Sequence, residues 1–294
     1  MRLGDEQESV NFEDRSGQSG GFGFGGGGGM GGGLGLILSL VASRFGIVGV
    51  LVLMLGYCAL STLGGGGGTP SPVQSGQPAA NTKVDPATRT LVLRVLGSTE
   101  RRWTELFAAQ GSQYQPTTLV FYNQTNSSGC GIAQSAMGPF YCPTDQRIYL
   151  DTSFFDELQT RFGAAGDFAQ AYVIAHEVGH HIQGLTGVLD QARAAQSRSS
   201  SRDGNAVQVR VELQADCYAG VWAANDRNLM EPGDLEEGLR AARAIGDDTL
   251  QRQSQGRVVP ESFTHGSAEQ RMQWLKRGLE SGDPKACDTF SAAI

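Results

Sequence analysis

The sequence contains little histidine, little cysteine and no excess of positive charge, and each shortage narrows the range of functions. Its 294 residues include four histidines and five cysteines, so few metal sites can be built from them. Lysine and arginine number 23 against 30 aspartates and glutamates, which gives a net charge of -7. Because no basic stretch is present that could follow a phosphate backbone, a nucleic-acid partner is not expected.

Glycine is abundant, but it is unevenly distributed. Of 42 glycines, 22 lie in residues 1–68. Glycine contributes no apolar side chain and loses the most backbone entropy on folding, so this region cannot all be packed core. We predict a disordered glycine-rich arm over residues 1–33 and a Gly/Pro/Ser linker over residues 64–83. The folded domain is expected over residues 84–294.

An uncharged apolar segment separates the two glycine-rich stretches. A helix over residues 45–63 would be about 28 Å long at about 1.5 Å per residue, close to the thickness of a bilayer core. We therefore predict a membrane segment over residues 34–63 with a transmembrane helix at about 45–63; a buried soluble helix and a cleaved signal peptide are the alternatives. Arg44 precedes this helix, and the next positive charge is Lys83. The positive-inside rule then predicts a single-pass protein, in contact with the lipid bilayer, with a cytoplasmic N-terminus and an extracytoplasmic domain.

The motif that carries chemistry is HEVGH, an example of the HExxH pattern. Its histidines, His176 and His180, are four residues apart and so lie on one face of a helix, where both can bind one zinc ion. Glu177 projects beside the metal and can deprotonate a water molecule that zinc activates. A surface pair of histidines is the alternative interpretation.

A catalytic zinc site requires a third protein ligand. The metzincin class would place a histidine where Thr186 stands, so that class is excluded. His181 points about 100° away around the helix, which favours a supporting or surface role. Glu212 is the better candidate, and Asp216 follows it by one helical turn. A zinc ion would satisfy the carboxylate of Glu212, and the N–H of a ligand histidine would satisfy that of Asp216. The alternative is an ordinary helix with both acids in solvent.

HExxH followed by ExxxD on a later helix resembles the gluzincin arrangement. More specifically, the chain is similar to the YpfJ-like family of neutral zinc metallopeptidases in four segments: GCGIAQSAMGPFYCPTDQRIYLD, AYVIAHEVGHHIQ, RVELQADCYAGVWA and ESFTHGSAEQRMQWL. This resemblance implies one Zn²⁺ per chain, bound by His176, His180 and Glu212. It also implies Glu177 as the catalytic base and a peptide or protein as the substrate.

The same resemblance suggests a strand that binds substrate. In gluzincins, an edge strand near the metal pairs with the extended substrate. The matching residues here are Ile148, Tyr149 and Leu150; a plain core strand is the alternative.

Two residues near the C-terminus have candidate roles. The segment around His265 looks like the HP-containing segment of HtpX-like peptidases, although Gly266 stands where proline would be. His265 can then donate to the oxyanion of the tetrahedral intermediate, or it serves a capping or structural role. Arg271 can pair with a carboxylate of the site, or it is a solvated arginine.

Four cysteines follow the apolar segment, and an even number suits two disulfides in an oxidising compartment. Cys130 and Cys142 are twelve residues apart, which leaves Cys217 and Cys287 as the second pair. Buried free thiols are the alternative for both pairs.

The sequence as a whole predicts an α+β, mostly helical, zincin-like metallopeptidase domain. The expected function is that of a membrane-anchored, zinc-dependent endopeptidase. The alternatives are a catalytically silent, membrane-tethered binding or scaffold domain and a zinc hydrolase of a non-peptide substrate. Helices are predicted over residues 86–110, 152–162, 168–183, 205–225, 233–246 and 267–280, and the first of them is expected to break near Gly97. Strands are predicted over residues 117–123 and 147–151. A mobile loop is predicted over residues 193–204.

Overall fold

The computed structural model describes residues 1–17 and 84–294, which belong to one compact unit. The predicted membrane segment and the predicted linker lie outside these residues. The described part is mostly helical with a small sheet. Its α-helices are α1 (Pro86–Ala109), α2 (Ser153–Thr160), α3 (Asp167–Leu185), α4 (Val188–Gln196), α5 (Ser201–Asn225), α6 (Asp234–Ala244), α7 (Asp247–Gln255) and α8 (Ala268–Ser281).

The strands form a four-stranded sheet and a separate hairpin. They are β1 (Phe12–Asp14), β2 (Thr118–Phe121), β3 (Thr125–Ser128), β4 (Gly131–Gln134), β5 (Phe140–Cys142) and β6 (Arg147–Leu150). The sheet order is β1-β2-β6-β5, in which β5 alone runs antiparallel to its neighbour. Strands β3 and β4 form the hairpin. Strand β5 is therefore an edge of the sheet, and β6 is not.

This order corrects the predicted role of Ile148, Tyr149 and Leu150. Ile148 and Tyr149 have partners in both β2 and β5, so they have no free edge with which to pair with a substrate strand. Leu150 pairs with Phe121 of β2, and all three side chains are buried, as in a core strand.

The N-terminal residues belong to the fold, which corrects the predicted disordered arm over residues 1–17. Strand β1 pairs in parallel with β2, and the ring of Phe12 packs edge-on against Phe121 at 6.4 Å between centroids. The segment crosses α1 at Gly97, where a Cβ atom would collide with the carbonyl oxygen of Gln7. Helix α1 is therefore continuous at Gly97, and the glycine permits a close approach instead of a break. Residues 18–33 lie outside the described part.

The predictions of a transmembrane helix, a lipid partner and a single-pass localisation are also corrected. None of the helices in residues 1–17 and 84–294 is long and apolar enough to cross a bilayer. The predicted span at 45–63 is not among these residues.

Helix α3 packs against α1, α5 and α6, and two glycine contacts set the closest approaches near it. A Cβ atom on Gly179 of α3 would lie 2.9 Å from the carbonyl oxygen of Ala215 in α5. A Cβ atom on Gly278 of α8 would collide with the carbonyl oxygen of Cys217, also in α5. Because both positions lack a side chain, α3 and α8 approach α5 closely enough for their polar side chains to meet.

Candidate metal centre

Three side chains from α3 and α5 converge at the crossing of these helices. Nε2 of His176 lies 3.1 Å from Nε2 of His180 and 3.2 Å from Oε2 of Glu212. Nε2 of His180 lies 3.5 Å from the same carboxylate oxygen. The structure thus brings together the three residues that the sequence predicted as metal ligands.

The orientation of His176 is fixed by Asp216, one turn after Glu212 on α5. Nδ1 of His176 lies 2.8 Å from Oδ1 of Asp216, a fully buried carboxylate. Burial would raise the pKa of Asp216, but the charges of Arg271 and His176 outweigh it and lower that pKa. An ionised carboxylate can only accept, so Nδ1 of His176 carries a proton and its Nε2 faces the other two candidate ligands.

Arg271 of α8 completes this arrangement and is not solvated. Its Nε donates to Oδ2 of Asp216 and its Nη2 to Oδ1, both at 2.9 Å, in the two-pronged geometry that suits a carboxylate. Nη2 also donates to the hydroxyl oxygen of Tyr172 at 3.1 Å, and that hydroxyl donates to Asp216 at 2.6 Å. Sequence reasoning missed Tyr172, although its position one turn before His176 on the same helical face is a usable signal.

His180 is oriented by a neutral group. Its Nδ1 lies 2.8 Å from Oε1 of Gln183, and Nε2 of that amide donates to the backbone oxygen of Val211 at 2.7 Å. A carbonyl oxygen cannot donate, so the amide NH₂ group must face Val211 and the amide oxygen must face the imidazole. Nδ1 of His180 therefore carries the proton. Sequence reasoning missed Gln183 as well.

Glu212 directs one carboxylate oxygen at the two histidines and the other at α5 itself. Nε2 of Gln208, one turn earlier, donates to Oε1 of Glu212 at 2.9 Å. Burial would raise the pKa of Glu212, but His180 and His176 outweigh it and hold that pKa well below its usual range.

The donor atoms fit a zinc ion. Zinc bound to nitrogen and oxygen at about 2.0–2.2 Å in a tetrahedron separates its ligand atoms by about 3.3–3.6 Å. The three separations of 3.1, 3.2 and 3.5 Å lie within about 0.2 Å of this range. These three atoms lie close together, and a proton or a cation between them can balance the negative charge of the carboxylate. Burial alone would lower the pKa of His176, but Asp216 and Glu212 raise it to about 10, so a metal ion competes with a proton there.

The predicted base, Glu177, lies next to His176 on α3 and is 6% exposed. Within residues 1–17 and 84–294, its carboxylate forms no ion pair. Its carboxylate is therefore not committed to a cationic partner among these residues.

The other two histidines lie outside the ligand set. His181 is buried, and its Nε2 donates to the backbone oxygen of Gln115 at 2.6 Å while its Nδ1 lies 3.3 Å from the hydroxyl of Tyr141 in β5. His265 precedes α8, half exposed, with its backbone N–H 2.6 Å from Oδ2 of Asp247. Its side chain touches none of the candidate ligands. Burial would lower the pKa of His265, but its hydrogen bond to Asp247 and the charge of Glu212 raise it.

The four cysteines pair as the sequence suggested. A disulfide joins Cys130, in the turn of the β3–β4 hairpin, to Cys142 at the end of β5. A second disulfide joins Cys217 of α5 to Cys287, in the segment after α8. The first therefore holds the hairpin against the edge strand, and the second holds the C-terminal segment against the helix that carries Glu212.

Comparison with known proteins finds relatives over the whole length of the chain. The chain is 46% identical to "Uncharacterized protein YpfJ" of Escherichia coli (strain K12) over 298 residues, which cover all of both chains. It is 48% identical to "Uncharacterized protein Rv2575" of Mycobacterium tuberculosis (strain ATCC 25618 / H37Rv) over 193 residues, 61% of this chain and 64% of the relative. No solved structure matches the chain.

A family model matches residues 1–290, a range that includes β1 and every residue of the site described above. The histidine pair, the glutamate and the paired aspartate are thus part of a match that spans nearly the whole sequence. The chain belongs to the family described as "Putative neutral zinc metallopeptidase".

Proposed function

We propose that this protein is a zinc-dependent endopeptidase. The observation that carries the proposal is the convergence of three candidate ligand atoms, from His176, His180 and Glu212, together with a buried glutamate, Glu177, directly after His176 on α3. Two imidazoles and one carboxylate are the ligand set of hydrolytic zinc sites that keep a position open for water or substrate. One ion per chain follows from one such set.

The chain's own residues supply the acid–base chemistry. Zinc, when held by the three ligands, supplies a Lewis acid that polarises a carbonyl group and makes a water molecule acidic near neutral pH. Glu177 accepts the proton of that water on its carboxylate and then delivers it to the leaving amine. Asp216 and Gln183 keep the two histidines in the tautomer that binds a metal. His265 is a further candidate donor to the oxyanion, and the charge of Glu212 contributes to raising its pKa.

An extended peptide is the substrate that the neighbouring sheet suits best. Strand β5 has a single partner, β6, among the described residues, and it lies against α3, where the Tyr141 hydroxyl is 3.3 Å from Nδ1 of His181. A peptide that pairs with the free edge of β5 would run beside the helix that carries the candidate ligands. We assign the substrate strand to β5 in place of the residues suggested by resemblance.

The test uses the full chain, because β1 is part of the sheet and a fragment starting at residue 84 would lose it. Bound zinc and the cleavage of casein and of a peptide library are measured for the wild type, for Glu177→Gln and for Glu212→Ala. We expect zinc near one per chain and cleavage in the wild type. In Glu177→Gln, zinc should be retained while cleavage falls by about 10²–10⁴-fold.

Three outcomes would contradict the proposal. Zinc bound without cleavage of any peptide favours a binding or scaffold domain. Cleavage of esters but not of peptides favours a non-peptide hydrolase. Stoichiometric zinc that persists in Glu212→Ala removes Glu212 from the ligand set.

A further inference from the structure

A continuous chain of side-chain amides leads from His180 to the C-terminal segment. Oε1 of Gln183 faces Nδ1 of His180 at 2.8 Å, and Nε2 of Gln183 donates to Oε1 of Gln214 at 3.0 Å. Nε2 of Gln214 in turn donates to the backbone oxygen of Cys287 at 2.9 Å. Both glutamines are buried. We call these two side chains the amide relay.

Backbone carbonyl groups set the direction of the relay. Cys287 contributes a carbonyl oxygen at one end and Val211 contributes another at Gln183. A carbonyl oxygen accepts and never donates, so each amide must turn its NH₂ group toward the backbone. Reversing either amide would place two acceptors, or two donors, in contact inside the core, at a cost of about 1–3 kcal/mol for each unsatisfied group.

The backbone end of the relay is itself held in place. The disulfide between Cys217 and Cys287 fixes the segment after α8 to α5. The guanidinium of Arg210 donates to the backbone oxygens of Thr289 and Ala292, and the hydroxyl of Thr289 donates back to the backbone oxygen of Arg210. The relay therefore starts from a rigid support and not from a free terminus.

We propose that Gln183, braced by Gln214 and by the backbone of Cys287, is a positioning residue that fixes the tautomer and ring orientation of His180. The inference rests on the proposed function only in treating Nε2 of His180 as a zinc-binding atom. According to this proposal, the two candidate histidine ligands are oriented by groups of different charge. His176 is held by a carboxylate that Arg271 pairs with, whereas His180 is held by neutral amides that bring no additional charge to the site.

A purely structural role for the glutamines predicts something else. Buried amides that only complete the packing of α3 against α5 would affect the free energy of unfolding. They would not decide which nitrogen of His180 carries a proton. The tautomer is therefore the readout that separates positioning from packing.

The experiment labels histidine with ¹⁵N in the full chain and records long-range ¹H–¹⁵N spectra after treatment with a chelator, near pH 7.5. In the wild type we expect His180 to have Nδ1 protonated. In Gln183→Met, which approximately preserves side-chain volume, we expect a mixture of the two tautomers. Gln170→Met, on the same helix but outside the relay, should leave the His180 signals unchanged.

A second readout is zinc affinity, measured by competition with a chromophoric chelator and independent of cleavage. Loss of a group that orients a metal ligand weakens binding by about 10–100-fold, so Gln183→Met should fall in this range and Gln170→Met should remain within about twofold of the wild type. Gln214→Met should weaken zinc binding less than Gln183→Met, because Val211 still holds the first amide.

The wild-type spectrum alone can overturn the proposal, even if no variant folds, since an unprotonated Nδ1 of His180 contradicts the relay. A folded Gln183→Met variant with unchanged tautomer and unchanged zinc affinity would reduce the relay to packing. A correct tautomer in a protein that binds no zinc would leave the relay standing and defeat the proposed function instead.

Discussion

Replacing Arg271 with methionine should destabilise the protein strongly. This buried residue acts on the site through Asp216 and is not itself a candidate metal ligand. Arg271 is 2% exposed and makes two hydrogen bonds at 2.9 Å to Asp216, which is fully buried. The variant keeps the length and much of the volume of the side chain. It removes the positive charge and the donors.

The magnitude follows from what Asp216 retains. Its Oδ1 still accepts from Tyr172 at 2.6 Å and from His176 at 2.8 Å, but its Oδ2 loses the Nε donor of Arg271. Removing one partner of a buried ion pair costs about 3–5 kcal/mol, because the other charge stays buried without it. Removing both charges together, in Arg271→Met with Asp216→Asn, should cost less than the sum of the single changes, by about 0.5–3 kcal/mol.

The assay is urea unfolding of the chelator-treated full chain, with the free energies of the four proteins combined in a double-mutant cycle. Arg277→Met is the matched control, because it lies on the same helix, is exposed and contacts the ring of Trp274. We expect the control to cost at most about 1 kcal/mol. If Arg271→Met costs no more than this control, or if the cycle shows no coupling, the buried pair is not what holds α8 to the site.

Three further outcomes are expected. Gly179→Ala should lower the free energy of unfolding in urea by about 1–3 kcal/mol, because its Cβ would lie 2.9 Å from a backbone oxygen of α5. The control Gly204→Ala has nothing within 4 Å of its Cβ and should be neutral or stabilising by up to about 1 kcal/mol. Equal effects of the two substitutions would refute the close contact. Asp247→Asn should lower the free energy of unfolding at pH 7. Burial would raise the pKa of Asp247, but the hydrogen bonds with His265 lower that pKa below 3.8. The stability that the Asp247 carboxylate provides is therefore present above pH 3.8, and the difference between variant and wild type should shrink as the pH falls below this value. A difference that does not change with pH would contradict this assignment. Replacing both Cys130 and Cys142 with alanine should cost about 2–4 kcal/mol and expose the β3–β4 hairpin to limited proteolysis, with unchanged digestion as the contrary result.

Much of the candidate site could be predicted from local sequence spacing. The separation of His176 from His180, and of Glu212 from Asp216, places each pair on one face of one helix whatever the rest of the fold does. What holds these residues could not be predicted in the same way. Gln183 lies 28 residues from the Val211 carbonyl that orients it, and only the packing of α3 on α5 brings them together.

The errors in the fold have physical causes of the same kind. Strand β1 is three residues long and precedes a glycine-rich stretch, so composition averaged over residues 1–33 hides it. A glycine in a helical segment also favours a break, which is what the sequence predicts near Gly97, whereas the glycine serves a tertiary contact. The loop expected over residues 193–204 contains the end of α4 and the start of α5, with Ser200 as the N-cap that accepts from the N–H of Asp203.

The order of the strands in the sheet differs from what the resemblance suggested. The segment at 147–150 has the composition of a strand, and it forms one, but composition cannot show which neighbours a strand acquires. That depends on where β5 folds back, and β5 is three residues long with no alternating pattern to reveal it. The edge of the sheet is therefore β5, which a disulfide joins to the neighbouring hairpin, and not β6, the strand that the resemblance suggested.

The two candidate histidine ligands differ in what they require of the fold, and this difference follows from the helices that support them. His176 depends on α8 through Arg271, and α8 can approach α5 this closely because Gly278 and Gly220 have no side chains at their contact. His180 depends on the segment beyond α8, through amides and a disulfide-fixed backbone. Both supports come from the last part of the chain, although the motif that they orient lies nearly a hundred residues earlier. A HExxH helix with the correct sequence is therefore not sufficient for this site, because the groups that face its imidazoles, Asp216 and Gln183, are themselves held by α5, by Arg271 of α8 and by the C-terminal segment.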